Sequence, residues 1–437
     1  MDKKVSIILL VLFLVGCAAK SPYNRTYVSK GIEERTDLGF GEISKPGEFT
    51  LPEGVSLSDG LTQEEAVSIA LWNNAQFQVD LAALGFARSD LIEASILPNP
   101  VFSILFPVGP KQEETKLNFP IDIIWQRPRR IAASKLDAES ISENLVQHGL
   151  CLVRDVQTAF ADLLLAQEQS SLAEEDAKLR AQIADITQAR LRAGDISELD
   201  ASISHVDSLR AEDAVLRFSH EAIVSKYRLN SLLGLQPENS KYEITLSPIV
   251  PQLGITFDEL LETAFAARPD LRAAELTIEA AGERVGWERS KIFNFIGIID
   301  GKDKGEEQIT VGPGFQMDIP ILNQNNGKVA RAQAELEQAA RQYVAVRHRL
   351  TLEVQEAYNR YILFHKEFEL WSADIVPSLE KAVDQSQRAY IVGEKSYLFV
   401  LETMRQLSEA RMRKAELAAD LRRAAAQLNY SVGKKTF

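Results

Sequence analysis

The side chains that most often carry catalysis or bind metals are few and widely spaced in this chain. Its 437 residues include two cysteines and five histidines. The histidines are His148, His205, His220, His348 and His365. They form neither an H-x-x-E-H motif nor an i,i+4 pair, and no cysteine cluster joins them. The sequence also has no glycine-rich phosphate loop, nucleophile elbow or paired acid and base, which predicts a protein that is not an enzyme and holds no cofactor or metal.

Cys17 stands where a chemical modification is expected. Two lysines precede an apolar run at residues 5–15, which suits a secretion signal and is too short to span a bilayer. Leu14-Val15-Gly16-Cys17 resembles the lipobox of bacterial lipoproteins, and Ala18, rather than an aspartate, favours sorting to the outer membrane. Residues 1–17 are therefore predicted to be a lipoprotein signal with Cys17 as the lipidation site. The open alternative is a secretion signal with an incidental cysteine.

The overall composition limits the partners that the mature chain can have. It carries 62 acidic and 49 basic residues, a net charge of −13, which argues against a nucleic-acid site with clustered cations. No apolar run of about 18 residues follows the N-terminal segment, so the sequence predicts no spanning helix there. With 45% hydrophobic residues the chain can bury a sizeable core, in which Cys151 is expected to pack as a small helix residue.

An internal repeat organises the chain after its first 56 residues, and six short motifs recur in the same order at offsets of 194 to 200 residues. Leu61-Thr62-x-Glu64-Glu65 recurs as Ile255-Thr256-x-Asp258-Glu259, and both motifs predict a helix N-cap with a capping box. Gly194-Asp195-Ile196-Ser197 recurs as Gly393-Glu394-Lys395-Ser396. We therefore predict an extended N-terminal strap at residues 18–56 and two repeats at residues 57–250 and 251–437. The first helix of each repeat is expected to run to about Ser95 and Ser290.

Each repeat contains a segment with the composition of a strand hairpin. In the first repeat, residues 101–106 and 115–119 flank a Pro/Gly turn at residues 107–110. In the second, residues 293–299 and 308–312 flank a charged turn at residues 301–305. With their flanks, these strands approach the length of about 9–11 residues that a tilted strand needs to cross a bilayer.

A long helix is predicted in each repeat. Arg129 lies 65 residues before Gly194, and Lys328 lies 65 residues before Gly393. Each helix would measure about 95 Å if unbroken. Apolar or small residues follow a heptad spacing on both. In the first copy they are Val156, Ala159, Leu163, Ala166, Ser170, Ala173 and Ala177. In the second they are Leu350, Val354, Ala357, Tyr361, Phe364, Phe368, Trp371 and Ile375. Pro377 is expected to kink or interrupt the second helix.

These dimensions point to an assembly of several chains. A helix this long must be packed along its length by neighbours, and open strand edges are not tolerated in lipid. The two hairpins supply about four strands per chain, whereas membrane barrels need about eight or more. Two chains would supply about eight strands and three chains about twelve.

Residues 57–433 resemble the TolC-type outer-membrane efflux proteins. Residues 96–100 look like the family's entry to the first strand, and residues 320–332 resemble its second strand-to-helix junction. The chain is most similar to the heavy-metal-efflux (Czc/Cus-like) branch, although residues 124–130 replace a glycine-rich junction common in relatives. The resemblance implies a mainly helical chain with four membrane strands, forming a homotrimer with a twelve-stranded outer-membrane barrel and a long periplasmic helical barrel. It also implies a passive exit duct that docks on a periplasmic adaptor and an inner-membrane pump.

The resemblance further assigns roles to residues at the predicted helix turns. The family's adaptor-docking and gating tip is matched by Arg190, Leu191, Gly194, Ser197, Tyr390, Gly393 and Ser396. Glycine at both turns also has a structural explanation, since a turn of this kind is expected to need a positive φ. Some relatives carry acidic rings at the sixth and ninth positions after the second glycine, which here are Phe399 and Glu402. Glu402 is thus a candidate for a threefold cation-selecting ring, against the alternative of an ordinary solvated helix face. Phe399 departs from the pattern.

Two other functions remain open at this point. The same channel motifs suit a type I protein-secretion duct, which only the partner pump would distinguish. A periplasmic coiled-coil scaffold lipoprotein without a pore is the alternative from another class. The strand hairpins separate the scaffold from the duct, because a scaffold has no need of segments that meet lipid.

Overall fold

The protein is mainly helical with one small antiparallel sheet, as predicted, in the residues that the computed structural model describes. These are residues 21–41, 45, 47–106, 108, 113–236, 241–245, 254–303, 309–392 and 394–436. The strands are β1 (Val101–Leu105), β2 (Glu113–Pro120), β3 (Phe295–Asp303) and β4 (Ile309–Met317). Before β3 come α1 (Arg25–Thr36), α2 (Gln63–Asn73), α3 (Ala75–Leu81), α4 (Ala83–Ser95), α5 (Ile123–Arg192), α6 (Glu198–Leu233), α7 (Phe257–Ala267) and α8 (Pro269–Ser290). After β4 come α9 (Asn326–Leu370), a π-helical turn (Trp371–Ile375), α10 (Val376–Ile391) and α11 (Tyr397–Val432).

The chain divides into two compact units, and each takes residues from both predicted repeats. One unit contains all four strands within residues 79–146 and 269–348. The other includes residues 147–268 and the chain from Arg349 onward, with the ends of both long helical hairpins. The repeat boundaries at residues 57, 250 and 251 stay a prediction from the sequence.

Each repeat begins with a capped helix, and both capping boxes are confirmed. Thr62 caps α2 and Thr256 caps α7, and each hydroxyl accepts a hydrogen bond from an amide three residues later. The uninterrupted first helices expected from the sequence are wrong. The backbone turns extended at Asn74 and Arg268, with ψ of 116° and 118°, and a new helix begins directly after each break.

At each break, one side chain donates a hydrogen bond to the end of a distant helix, and we call these two contacts clamps. Asn74 Nδ2 donates to the carbonyl of Leu232 at 2.9 Å, and Arg268 Nη1 donates to the carbonyl of Ser431 at 3.1 Å. Both carbonyls lie in the last turn of a helix, α6 or α11, where the backbone has no intrahelical donor. Arg268 is almost completely buried and also donates to Glu353 at 2.9 Å. The clamps therefore tie the start of each repeat to its last helix.

The four strands form one antiparallel sheet in the order β1-β2-β3-β4. Both hairpins predicted from the sequence are confirmed, and β2 pairs with β3 to join them, with Leu117 opposite Ile299. The turn expected at residues 301–305 is wrong at its start, because Gly301, Lys302 and Asp303 still pair with both neighbouring strands. Because β3 lies between two strands, these three residues stay in it, although glycine and charged residues are more typical of a turn.

The first long helix starts earlier than its equivalent in the second repeat. α5 begins at Ile123 and runs for 70 residues with Pro128 inside it, whereas residues 318–325 separate β4 from α9. The Nε atoms of Arg127 and Arg130 donate to carbonyls at the end of α4, at 2.7 and 2.8 Å. The basic residues that replace the expected glycine-rich junction therefore serve to cap a neighbouring helix.

The heptad seam of the second long helix is confirmed up to Tyr361 and then shifts by one residue. The buried positions are first Leu350, Val354, Ala357 and Tyr361, and later Val376, Val383 and Ser386. A continued heptad would bury Ile375, which is only half-buried. A π turn holds one residue more than an α turn, so the turn at Trp371–Ile375 causes this shift. The interruption expected at Pro377 is confirmed, since Pro377 lies in the first turn of α10.

The N-terminal strap is not extended throughout, which corrects the sequence-based expectation. It contains α1, whose residues Val28 and Ile32 are fully buried. A Cβ atom at Gly149 of α5 would lie 2.1 Å from Ile32 Cδ1, so this close approach requires glycine. In the strand-containing unit, Tyr23 Oη donates to the Glu139 carboxylate, and burial raises the pKa of Tyr23. The strap is thus packed against helices at both of these points.

Candidate functional site

The first predicted tip is a tight turn between α5 and α6. Gly194 adopts a φ of +81°, which disfavours any other residue there, and its amide donates to the carbonyl of Leu191 at 3.0 Å. The amide of Asp195 donates to the carbonyl of Arg190 at 3.0 Å. Ser197 then caps α6. The positive φ predicted for this glycine is confirmed.

The second predicted tip lies between α10 and α11. The amide of Glu394 donates to the carbonyl of Ala389 at 2.8 Å, which closes the last turn of α10. Ser396 occupies the N-cap position of α11 with extended backbone, but its side chain makes no capping hydrogen bond. Gly393 itself lies outside the described residues.

The structure brings one residue of each tip together. Arg190 Nη1 donates to Tyr390 Oη, and Arg190 Cζ lies 5.0 Å from the centre of the Tyr390 ring. Beneath this pair a small apolar cluster joins α5, α10 and α11. It contains Leu179, Ile183, Val383, Val400, Met404 and Leu407. The sequence predicted Arg190 and Tyr390 as tip residues but did not predict their contact. The signal that could have indicated it is the similar distance of the two residues from the turn glycines.

The two gate candidates, Phe399 and Glu402, both have exposed side chains on α11. Lys395 Nζ lies 5.2 Å from the centre of the Phe399 ring. Glu402 accepts hydrogen bonds from Arg405 at 2.8 Å and from Gln406 at 2.8 Å. The Arg405 hydrogen bond is the main reason why the pKa of Glu402 is lowered. Glu402 is therefore ionised and paired with a cation, Arg405, on its own helix. The sequence analysis missed this partner, although the i,i+3 spacing of the two residues could have indicated it.

The sheet has one apolar and one mainly polar face. Residues that pair across the strands share a face, so the register assigns each side chain. The apolar face carries Phe102, Ile104, Leu117, Phe119, Phe295, Ile299, Val311, Pro313, Phe315 and Met317, with Glu113, Thr115 and Asp303 as polar members. The polar face carries Ser103, Glu114, Lys116, Asn118, Asp300, Lys302, Thr310 and Gln316, with Val101, Leu105, Pro120, Ile296 and Ile298 as apolar members. The exceptions Glu113 and Asp303 pair with one another at one end of the sheet, so the rest of the apolar face is continuous.

Charges on the polar face compensate one another. Lys302 Nζ lies 3.4 Å from Glu114 and 3.6 Å from Asp300, and Lys116 Nζ lies 3.3 Å from Glu114. Within the described part of the chain, β1 and β4 each pair with one strand only, so each has one open edge. A sheet with this division of faces and two open edges can face lipid on one side and water on the other.

Metal ligands, membrane-spanning helices and the cysteines are the remaining features with a bearing on function. No group of three or more His, Cys, Asp or Glu side chains could hold a metal ion among the residues described. None of the described helices is both long and apolar enough to cross a membrane. Cys17, the predicted lipidation site, lies outside the described residues. Cys151 is half-buried on α5 and accepts a hydrogen bond from Arg154 Nη2 at 3.1 Å.

The sequence is similar to that of a metal-resistance protein over most of its length. The cobalt-zinc-cadmium resistance protein CzcC of Cupriavidus metallidurans is 24% identical over 380 residues, which cover 86% of this chain and 90% of the relative.

Solved structures share the fold over a comparable length. A crystal structure of CusC, described in terms of transmembrane channel formation, matches with a TM-score of 0.73 at 18% identity, covering 90% of this chain and 99% of that one. The outer-membrane channel OprN matches with a TM-score of 0.71 at 19% identity, covering 86% and 90% of the two chains.

The model of the family described as "Outer membrane efflux protein" matches residues 114–235 and 260–434. These ranges include β2 from its second residue onward, β3, β4, both tips and all of the long helices. Efflux proteins are transport proteins, so the prediction that the chain is not an enzyme is confirmed by this match. The chain belongs to the outer membrane efflux protein family.

Proposed function

We propose that the protein is the outer-membrane exit duct of a tripartite efflux system and works as a homotrimer. The observation that carries this proposal is the two-faced sheet. Its apolar face suits lipid and its charge-compensated face suits a water-filled lumen. A coiled-coil scaffold without a pore gives no reason for Phe102, Val311 and Phe315 to be exposed.

The open edges of the sheet favour three chains. A sheet in lipid must close because the backbone groups of an open edge cannot bond to water there. Each chain supplies four strands, so a trimer closes a twelve-stranded barrel between β4 of one chain and β1 of the next. Helices α5, α6, α9, α10 and α11 would line the duct in the periplasm.

An acyl group on Cys17 would anchor each chain to the outer membrane. Several acyl chains per trimer hold a protein firmly, since each buried methylene contributes about 0.8 kcal/mol. The lipobox-like sequence before Cys17 supports this step.

The two helix-hairpin turns form the proposed docking end for a periplasmic adaptor, with the inner-membrane pump behind it. The contact between Arg190 and Tyr390 supports this assignment because it couples the two turns of one chain. Leu191, Gly194 and Ser197, with Gly393 and Ser396, are the other proposed docking positions. Glu402 is the proposed cation-selecting residue, and Phe399 replaces a second acidic ring.

Heavy-metal cations are the proposed cargo. CzcC is named for cobalt, zinc and cadmium resistance, and the similarity to it supports this class of substrate. The Glu402 carboxylate favours cations over anions in a narrow duct. Type I protein secretion is the second candidate, and the genes beside this one would distinguish the two through the pump that they encode.

Conductance in planar lipid bilayers tests the duct. The full chain, purified in detergent, should migrate as a trimer on gels when unheated and give stable single channels. Glu402→Lys should lower the cation-to-anion permeability ratio, whereas Glu335→Lys, outside the proposed docking end, should leave it unchanged. A monomer without conductance would overturn the duct, and an unchanged ratio in Glu402→Lys channels would remove Glu402 from it. Cys17→Ser should release the chain from its lipid anchor without loss of conductance.

A further inference from the structure

A cavity lies where the sheet meets the helices of its own unit, at the end of the sheet where β1 begins and β2 ends. Its volume is about 370 Å³, which falls within the range of about 300–1,000 Å³ that small-molecule sites usually have. The sheet contributes Val101, Asn118, Pro120 and Ile296 to its wall, and all four belong to the polar face. The cavity therefore lies on the side of the sheet that suits water. We call it the junction cavity.

The first turns of α5 place two arginines in the wall of the junction cavity. Arg127 and Arg130 are three residues apart, so they lie on the same side of the helix. They belong to residues 124–130, the stretch that replaces a glycine-rich junction common in relatives. Their hydrogen bonds to the end of α4 give these side chains one role, but that role does not require both of them to line a cavity.

Most of the hydrogen-bonding capacity of the two guanidinium groups is unused. Each group has five N–H donors. Arg127 donates to the carbonyl of Ser95, and Arg130 donates to the carbonyls of Ala94 and Ile96. Within the described part of the chain, neither arginine forms an ion pair with a carboxylate. Most of these donors are therefore available to a ligand in the cavity.

The wall of the junction cavity has an excess of positive charge. Burial, and after it the charge of Arg127, lowers the pKa of Arg130, so the two like charges are close enough to repel one another. Glu93 on α4 attracts Arg130 but does not line the cavity. Asp122 does line it and accepts a hydrogen bond from Gln126 Nε2 at 2.9 Å. The lining thus holds two cations and one anion, in a chain whose net charge is −13.

We propose that the junction cavity binds a small organic anion with two or more carboxylate groups. A guanidinium donates paired hydrogen bonds to a carboxylate, and an anion between Arg127 and Arg130 offsets the repulsion between them. Asn99, which also lines the cavity, offers an amide donor to a further carboxylate. The chemistry of the wall therefore selects an anion that several donors can hold at once.

Only the setting of this site rests on the proposed duct. In a trimer, three junction cavities would form a ring at the level where the sheet gives way to helices, on the side of the lumen. An anion bound there would lie beside the path of the exported cations. The binding itself needs only the fold of one chain, because all of the lining residues belong to one compact unit.

Titration calorimetry with citrate as the probe tests the site. The full chain, purified in detergent and freed of metal ions, should bind about one citrate per chain at low ionic strength, and added salt should weaken the binding. Arg127→Gln and Arg130→Gln should each weaken it about tenfold or more, since each removes a charged donor. The matched control is Arg129→Gln, on the same turn of α5. Arg129 pairs with Glu283 and does not line the cavity, so the affinity should stay unchanged.

Two further measurements separate anion binding from the structural role of the arginines at the end of α4. Arg127→Lys keeps the positive charge and loses the paired geometry, so it should bind citrate more weakly while still migrating as a trimer on unheated gels. Trp287 lines the cavity, so citrate should change the tryptophan fluorescence of the wild type. Trp287→Phe should abolish most of this change and retain the heat of binding.

The outcomes distinguish this site from the duct. Failure of a conducting wild-type trimer to bind citrate would refute the site and leave the duct standing. Equal affinity in the wild type, Arg127→Gln and Arg130→Gln would place the anion elsewhere and overturn the proposal, as would an equal loss in Arg129→Gln. Citrate binding that depends on both arginines, in a chain that gives no channels, would support the site and remove the duct.

Discussion

Neighbouring isoleucines on opposite faces of β3 offer a matched test of which face meets lipid. Ile299 belongs to the apolar face and Ile298 to the polar face, and they are the fifth and fourth of nine residues in the strand. A strand of nine residues is about 30 Å long, or about 20 Å across the bilayer at a tilt near 45°. Both residues therefore lie close to the midplane, within about 3 Å of one another along the strand.

The expected costs of an arginine differ between the two positions. Ile299→Arg sets a cation among acyl chains at the midplane, which costs about 2–4 kcal/mol per chain in outer-membrane barrels. Ile298→Arg points the same cation towards Asn118 and Gly314 on the face with charges, so its cost should be below about 1 kcal/mol. The difference is at least about 1 kcal/mol, a factor of about 5 or more in the folding equilibrium, since about 1.4 kcal/mol is tenfold.

Urea titration of the protein in phospholipid vesicles, followed by tryptophan fluorescence, measures these free energies of unfolding. The midpoint for Ile299→Arg should fall well below those for the wild type and Ile298→Arg, which should nearly coincide. Unheated gel migration serves as an independent measure of the folded trimer. Equal destabilisation by the two substitutions, or a larger cost at Ile298, would refute the assignment of faces.

Four further outcomes are expected. Because Arg405 lowers the pKa of Glu402, cation preference in bilayers should persist to a lower pH in wild-type channels than in Arg405→Ala channels; identical pH profiles would contradict this. Arg268→Ala should cost about 2–4 kcal/mol in thermal or urea unfolding, because it leaves helix-end carbonyls without their donor and removes one of the two basic partners of Glu353. The equivalent Asn74→Ala should cost about 1–3 kcal/mol, since a neutral hydrogen bond is lost, and an equal cost at both positions would contradict the difference in charge. Gly194→Ala should lower stability by about 1–2 kcal/mol through its positive φ, and a stabilised variant would be inconsistent with that turn.

Local signals account for most of what the sequence predicted correctly. The capping boxes at Thr62 and Thr256 depend on residues three positions apart, and the positive φ of Gly194 depends on one turn. Such features depend on residues that are close together in the sequence, so they leave a recognisable sequence pattern. Pro377 is similar, because a proline can be accommodated only near the start of a helix.

Features that depend on distant segments were missed. Lys302 and Asp303 look like turn residues, yet two neighbouring strands hold them in β3. At the breaks, the side chains of Asn74 and Arg268 bind the ends of helices more than 150 residues away, which no local pattern shows. The break at Arg268 also has a local cause that was overlooked, because Pro269 disfavours helical backbone in the residue before it. The contact between Arg190 and Tyr390 spans 200 residues. Contacts between residues so far apart leave no periodic pattern in a single sequence.

The π turn at Trp371–Ile375 also accounts for a difference in length between the two similar halves of the sequence. Val354 follows its counterpart Val156 by 198 residues, whereas Gly393 follows Gly194 by 199. The second half is therefore one residue longer than the first between these landmarks. The π turn lies within that interval and takes up one residue, while α6 and α11 both have 36 residues. A single wide turn thus allows two helical hairpins of unequal length to keep a buried seam on either side of it.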